Sequence, residues 1–361
     1  VTLLLDDSYN SLQRYKAKAF CKAFCCGVQK KYILGRNVYV QSVTNQIDIT
    51  AFIDDYCKEQ SYLGKPIIKS MDVPKDALVL VVSGGKPLTA KRMMEELGLN
   101  NLDYFSFYKY SGLSLRPIVF NENFNEEFDR NIIKFEWIFK LLSDDLSKHT
   151  YQKLINFRYQ YNLDFLQGFM SRENKQYFEE FLLLKKKGEV FVDVGGFNGF
   201  TSQEFIKHCP DYSGIYIFEP DSSNYQICRE KMQGLENISI YQKGLSNEEG
   251  LIHFSSGENS VSRISDRGFS TIEVTRLDSI LKQPPTLIKI DVEGAELLVI
   301  DGAVSIIKKY HPRLAICVYH HPEDFWQIPE NVLKIREDYS IFLRHYTESI
   351  YETVMFFLPI G

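Results

Sequence analysis

Residues 188–361 repeat one pattern: a short apolar run ends at a turn, and a stretch with helical spacing follows. The runs are VFVDVG, GIYIFEP, ISIYQKG, TLIKIDVEG and RLAICVYHH. Runs this short and this apolar are strands buried on both faces, and their alternation with helices means a parallel sheet covered on both sides. YSIFLRHYT and YETVMFFLP follow with only a short connection between them. These two are expected to pair as an antiparallel hairpin at the sheet edge. The expected class is therefore α/β, a Rossmann-like, doubly wound sheet with an antiparallel edge hairpin.

Two further units are expected ahead of it, dividing the chain into residues 1–112, 113–187 and 188–361. In the first, KYILG (31–35), ITAFIDD (49–55), ALVLVVSG (77–84) and LDYFSFY (102–108) read as short buried strands. KPLTAKRMMEELGLNN between the last two has helical spacing stopped by Gly98, which makes a small Rossmann-like α/β unit. Its first turn, LGRNVYV, holds the single Gly35 where a dinucleotide site wants G-x-G-x-x-G, so a structural or oligomerisation role is the better expectation. The second unit carries EEFDRNIIKFEWIFKLLSDDLSKHTYQKLINFRYQY, apolar at i, i+3 and i+4 and free of Gly and Pro. It reads as a helical connector that could form one wall of a cleft.

Composition excludes several function classes. Lys and Arg number 42 against 47 Asp and Glu, with no long basic block, so no nucleic-acid footprint is visible. No apolar run approaches the roughly 20 residues of a membrane span. The seven cysteines are odd in number and include no C-x-x-C, and CKAFCCG has no histidine beside it, which favours reduced thiols in the cytoplasm.

The strand–turn–helix VFVDVGGFNGFTS carries the most specific chemistry. Ligands of open α/β sheets bind outside the carboxyl ends of the strands, which is where Asp193 falls. Gly195 and Gly199 let the turn approach a ligand closely, and the helix after it offers free N–H groups. An acid two residues before the first glycine repels a pyrophosphate but attracts a cationic amino-acid moiety, which favours S-adenosylmethionine over NAD. The next strand ends in Glu219, placed to accept hydrogen bonds from ribose hydroxyls.

FVDVGGFNGFTSQEF, IYIFEPD, TRLDSIL and LIKIDVEGAELLVIDGA together resemble the FkbM family of S-adenosylmethionine-dependent methyltransferases over about residues 189–359. ENKQYFEEF (173–181) is similar to the lead-in segment of such proteins. The resemblance implies a class I methyltransferase domain and O-methylation of a hydroxyl on a small-molecule or glycan acceptor, such as a sugar or a secondary metabolite. It also implies that Asp193, Gly195, Asn198 and Gly199 hold the methionine end, that Glu219 binds the ribose, and that Gly244 and Leu245 meet the adenine edge. Phe197 departs from the pattern by standing where many such enzymes have a middle glycine.

Catalytic groups are expected at the ends of the fourth and fifth strands, beside the methyl group. Asp291 and Glu293 come from IKIDVEGAE, and His320, the candidate base, from ICVYHHPEDFW. Glu296 can equally serve a helix dipole. Arg344 and His345 could turn toward the same cleft, Arg344 as a clamp for an acidic substrate. No metal is assigned, although Asp291, Glu293 and Glu296, three acids within six residues, would permit Mg²⁺. The alternatives are an NAD-dependent sugar oxidoreductase and a module that binds cofactor without turnover. The aromatic-rich first half could supply a homo-oligomer interface.

Overall fold

The computed structural model describes residues 3, 5–6, 11–256, 262–264 and 270–361. In the first unit, α1 (Ser11–Cys26) leads into β1 (Lys31–Leu34), α2 (Val40–Thr44), β2 (Ala51–Ile53), β3 (Ser61–Tyr62), β4 (Lys65–Ile68), β5 (Leu78–Val81), α3 (Pro87–Glu96), β6 (Asn100–Asp103) and α4 (Tyr104–Tyr110). The sheet runs β3-β4-β2-β1-β5-β6 and is parallel except for β3. CKAFCC lies at the end of α1, and all seven cysteines are free.

LDYFSFY is a correction: only its first two residues are strand. Asp103 caps α4, accepting from Ser106 N at 2.8 Å and Ser106 Oγ at 3.0 Å. Tyr104, Phe105 and Phe107 are then buried from a helix rather than from alternate strand positions. The N-cap carboxylate outweighs the β-propensity of the aromatic run.

The connector consists of α5 (Phe124–Leu141) and α6 (Asp145–Gln160), followed by short turns to residue 182. Phe124, Phe128, Phe135, Ile138 and Phe139 form the buried stripe of α5.

The last unit runs β7 (Val190–Val194), α7 (Phe200–His208), β8 (Gly214–Phe218), α8 (Ser222–Lys231), β9 (Ile238–Tyr241), β10 (Gly244–Leu245), β11 (Gly250–Ser256), β12 (Ser262–Ile264) and β13 (Ser270–Thr275). It continues through α9 (Leu277–Ile280), β14 (Leu287–Ile290), α10 (Glu296–Asp301), α11 (Val304–Tyr310), β15 (Arg313–Cys317), α12 (Asp324–Ile335), β16 (Tyr339–His345) and β17 (Thr353–Pro359). Seven strands form one sheet in the order β16-β17-β15-β14-β7-β8-β9, with β17 antiparallel to both neighbours. Strands β10 to β13 make a separate small sheet, which the sequence reading did not anticipate.

The central strands are buried along their whole length, as near-continuous apolar runs require. Phe191 of β7 is fully buried and stacks on Phe205 of α7 with ring centroids 4.5 Å apart. Burial of a side chain of this size contributes about 1.5–3 kcal/mol. At the other edge, Ser143 and Ser147 accept backbone N–H bonds from Ile341 and Leu343, so the connector covers β16.

Chain direction across the sheet reverses between β7 and β14, which opens a crevice at their carboxyl ends. The first sheet has its own reversal between β1 and β5, but the β16–β17 loop packs against that end. Glu348 accepts from Thr89 N at 3.1 Å and Thr89 Oγ1 at 3.0 Å, and Ser349 Oγ donates to Gly84 O. One hydrophobic cluster includes side chains from all three regions, among them Phe52, Phe157 and Val192.

Candidate active site

After β7 the chain turns through Gly195 (φ +78°), Phe197 (φ +46°) and Gly199 (φ +77°) into α7. A Cβ on Gly195 would lie 1.9 Å from the Asp291 carbonyl oxygen, so the turn lies flush against the tip of β14. Phe197 occupies the middle glycine position, and its left-handed φ is the physical reason glycine is favoured there. Its ring is 54% exposed and lines the cavity described next. Asn198 also lines it, and its Oδ1 accepts from Phe200 N at 3.0 Å to shape the entry to α7.

The cavity measures about 790 Å³ and opens from this turn. Glu219, at the tip of β8, forms part of its wall. It accepts from Phe197 N at 2.7 Å and Asp221 N at 2.9 Å, which fixes the carboxylate against the turn and leaves acceptor capacity on each oxygen. Burial raises its pKa to about 7, with those two N–H groups and Lys289 opposing. Gly244 and Leu245 line the cavity from β10, together with Ile252, Ile272 and Val274 of the small sheet. The structure thus brings Gly195, Asn198, Glu219, Gly244 and Leu245 to one surface. Gly195 and Gly196 leave the turn's backbone open to a ligand beside Phe197 and Asn198, so these residues fit S-adenosylmethionine.

Asp193 is placed differently from the expectation. It is fully buried and forms no part of the cavity wall. Its Oδ1 pairs with Lys289 Nζ at 3.2 Å and its Oδ2 accepts from Ser202 Oγ at 2.7 Å. Lys289 in turn donates to the carbonyls of Val194 and Gly195. Burial works against the Lys289 charge, yet Asp193, followed by Asp291, holds its pKa above the ordinary value. The acid therefore acts on a ligand only through the turn: it anchors the lysine that fixes the turn's carbonyls.

The cavity is also lined by Asp291, Glu293, Glu352, Tyr319, Gln176 and Tyr177. Asp291 Oδ2 accepts from Tyr177 Oη at 2.8 Å, and Gln176 Nε2 donates to Tyr177 Oη at 2.9 Å and to Glu352. Tyr177, Glu293 and Glu352 all hold positive φ (+70°, +55° and +59°), a cluster of backbone strain typical of functional sites. Burial raises the Glu293 carboxyl to about 8.

His320 requires a correction. It is 1% exposed and contributes to a second cavity of about 400 Å³ rather than to the first. Burial opposes its charge, but Glu296, whose Oε1 is 3.0 Å from Nδ1, and then Asp291 and Glu293 raise its pKa to about 10. An imidazole that already holds a proton cannot take another from a hydroxyl. Glu296 also accepts from Val292 N at 2.9 Å, so it both caps the loop and orients the ring. Arg344 is buried against Asp144 (2.6 Å) and Ser147 (2.9 Å), and His345 bonds Thr353 Oγ1 at 2.9 Å, so neither faces the cavity.

Sequence reasoning missed Gln176, Tyr177 and Glu352 as site residues. A signal existed for the first two, since they lie in the ENKQYFEEF lead-in; Glu352 had none.

A sheet of this strand order, with a glycine turn after its first strand and an acid at the tip of its second, defines a class I methyltransferase fold. Residues 193–351 match the family model described as methyltransferase FkbM domain. The chain is 26% identical over 152 residues to the 2-O-methyltransferase NoeI of Sinorhizobium fredii, a match covering 35% of this chain and 62% of that protein. It therefore spans less than two thirds of that curated relative. Among solved structures it is similar to a methyltransferase FkbM from Methylobacillus flagellatus KT, with 23% identity, 95% of this chain and 93% of the other covered, and a TM-score of 0.78. That likeness extends the shared fold across nearly the whole chain. Residues 193–351 thus resemble the FkbM methyltransferase domain in sequence, and the chain shares the fold of a methyltransferase FkbM along most of its length. Among the described residues, no helix is long and apolar enough to cross a membrane.

Proposed function

We propose that this protein is an S-adenosylmethionine-dependent O-methyltransferase whose acceptor is a hydroxyl of a sugar, a glycan precursor or a related metabolite. One observation carries the reading: a single cavity is lined both by the glycine turn and Glu219 and by Asp291 and Glu293. The relative described as a 2-O-methyltransferase supports the hydroxyl as the nucleophile.

S-adenosylmethionine, when bound, supplies an activated methyl group. Glu219 would accept from the ribose hydroxyls, the residues from Gly195 to Asn198 would hold the methionine end, and Gly244 and Leu245 would flank the adenine, whereas Gly199 turns toward Met232 and Cys228. Transfer requires the acceptor oxygen in line with the methyl carbon. Asp291, oriented by Tyr177, accepts a hydrogen bond from the acceptor hydroxyl and so directs its oxygen and receives its proton, while Glu293, kept in its protonated form by burial, lines the same wall. Glu352, held by Gln176, closes the acceptor end.

Thermal unfolding with S-adenosylhomocysteine or NAD tests this directly. A ligand at 100 times its Kd stabilises by about 2.7 kcal/mol. S-adenosylhomocysteine is expected to raise the Tm while NAD leaves it unchanged; stabilisation by NAD alone would overturn the proposal in favour of a dehydrogenase.

A further inference from the structure

We infer that the acceptor end of the cavity contains a site for a divalent first-row transition ion, held by His320 Nε2, Asp291 Oδ1 and Glu293 Oε2. The first observation is a buried ring without hydrogen bonds: neither nitrogen of His320 has a hydrogen-bond partner, Nδ1 meeting Glu296 only as an ion pair at 3.0 Å and Nε2 meeting no group that close. That nitrogen faces Asp291 Oδ1 at 3.7 Å and Glu293 Oε2 at 3.6 Å, both too long for hydrogen bonds.

The second observation is that these separations suit a shared ion. Two bonds of about 2.1 Å meeting at 90–120° place their ends roughly 3.0–3.6 Å apart. Glu293 is partly exposed, so its side chain has room to turn toward the ion. Ligand atoms of Asp291, Glu296 and His320 also lie within 4.8 Å of one another.

The surroundings are those of a supported ligand set. Glu296 Oε1 lies 3.0 Å from Nδ1, giving the carboxylate–histidine–metal order that fixes a ring for coordination. Tyr177 Oη holds the other oxygen of Asp291 at 2.8 Å. Asp291 and Glu293 line the main cavity, which supplies the entry path. One imidazole with two carboxylates favours Mn²⁺, Fe²⁺ or Zn²⁺ over Mg²⁺ or Ca²⁺, which prefer all-oxygen sets. On binding, the ion takes the place of the imidazole proton, which leaves to solvent. Its role in the reaction, drawing in the acceptor's hydroxyl oxygen, rests on the methyltransferase reading, whereas its binding does not.

The test titrates Mn²⁺ into chelator-treated full chain, without cofactor or acceptor, and follows the bound ion by electron paramagnetic resonance. One ion per chain is expected, with nitrogen hyperfine coupling from a single imidazole. Asp291→Asn and His320→Gln should each weaken binding at least tenfold, and Glu296→Gln about 10–100-fold. The coupling is read on the unaltered protein, so a misfolded variant leaves the test standing. Absence of stoichiometric binding, or a bound ion without nitrogen coupling, overturns the site. Either result leaves S-adenosylhomocysteine binding, measured separately, as an independent judgement of the methyltransferase reading.

Discussion

Replacing Lys289 by Met tests whether Asp193 is a structural anchor. Both side chains are buried, at 2% and 0% exposure, in adjacent strands whose register sets them side by side. With Lys289 gone, Asp193 keeps only the Ser202 hydroxyl, and removal of one partner from a buried ion pair costs about 3–5 kcal/mol. Unfolding entropy of about 2.1 cal/mol/K per residue gives this chain of 361 residues roughly 0.76 kcal/mol/K if it unfolds as one unit. The Tm should therefore fall by about 4–7 °C in calorimetry without ligand. Asp193→Asn in the same background removes the stranded charge and should restore much of the loss. If Asp193 instead faced the cofactor, Lys289→Met would leave the Tm within a degree of the parent and tighten S-adenosylmethionine binding. That pair of results would refute the assignment.

Three further outcomes follow from the same geometry. Glu219→Gln should weaken S-adenosylhomocysteine binding about 10–100-fold by calorimetry, the worth of hydrogen bonds to a charged acceptor. Because burial raises the Glu219 carboxyl to about 7, affinity should rise from pH 6 to pH 8 as the carboxylate forms, and this slope should vanish in the variant. In the ligand-free fold the same group costs stability as pH rises between its ordinary value of 4.5 and about 7, because the unfolded chain releases that proton first. Gly195→Ala would place a Cβ 1.9 Å from the Asp291 carbonyl at a left-handed φ, so a loss of about 2–5 kcal/mol together with cofactor binding is expected in chemical denaturation. Arg158, buried and lowered to about 9 by that burial, donates to the carbonyls of Phe120, Tyr319 and Ile350. Arg158→Met should lower the Tm even with S-adenosylhomocysteine bound, at about 1–3 kcal/mol for each buried acceptor that loses this donor.

The main sheet was legible because its strands are buried on both faces and say so in composition, and because a turn such as DVGGFNG tolerates few alternatives. Glu219 followed from the spacing of one helix and one strand. The pairing of Asp193 with Lys289 was not anticipated because the partner lies about a hundred residues away. A signal did exist: VFVDV and LIKI each contain one charge in an otherwise apolar strand, and neighbouring strands can pair such charges. The state of His320 depends on Glu296, at the start of α10 after the neighbouring strand β14, an arrangement that no local pattern encodes. LDYFSFY was misassigned because aromatic β-propensity outweighed a capping acid in the reading, whereas in the fold the cap prevails. The small sheet from β10 to β13 had no comparable marker, since β10 is only two residues long.

The most direct test of the whole account is a structure of the protein with S-adenosylhomocysteine. The account predicts ribose hydroxyls on Glu219, the amino-acid end along the Gly195–Gly199 turn, and the sulfur directed toward Asp291. A ligand seated elsewhere, or a turn that binds phosphate in its place, would contradict it.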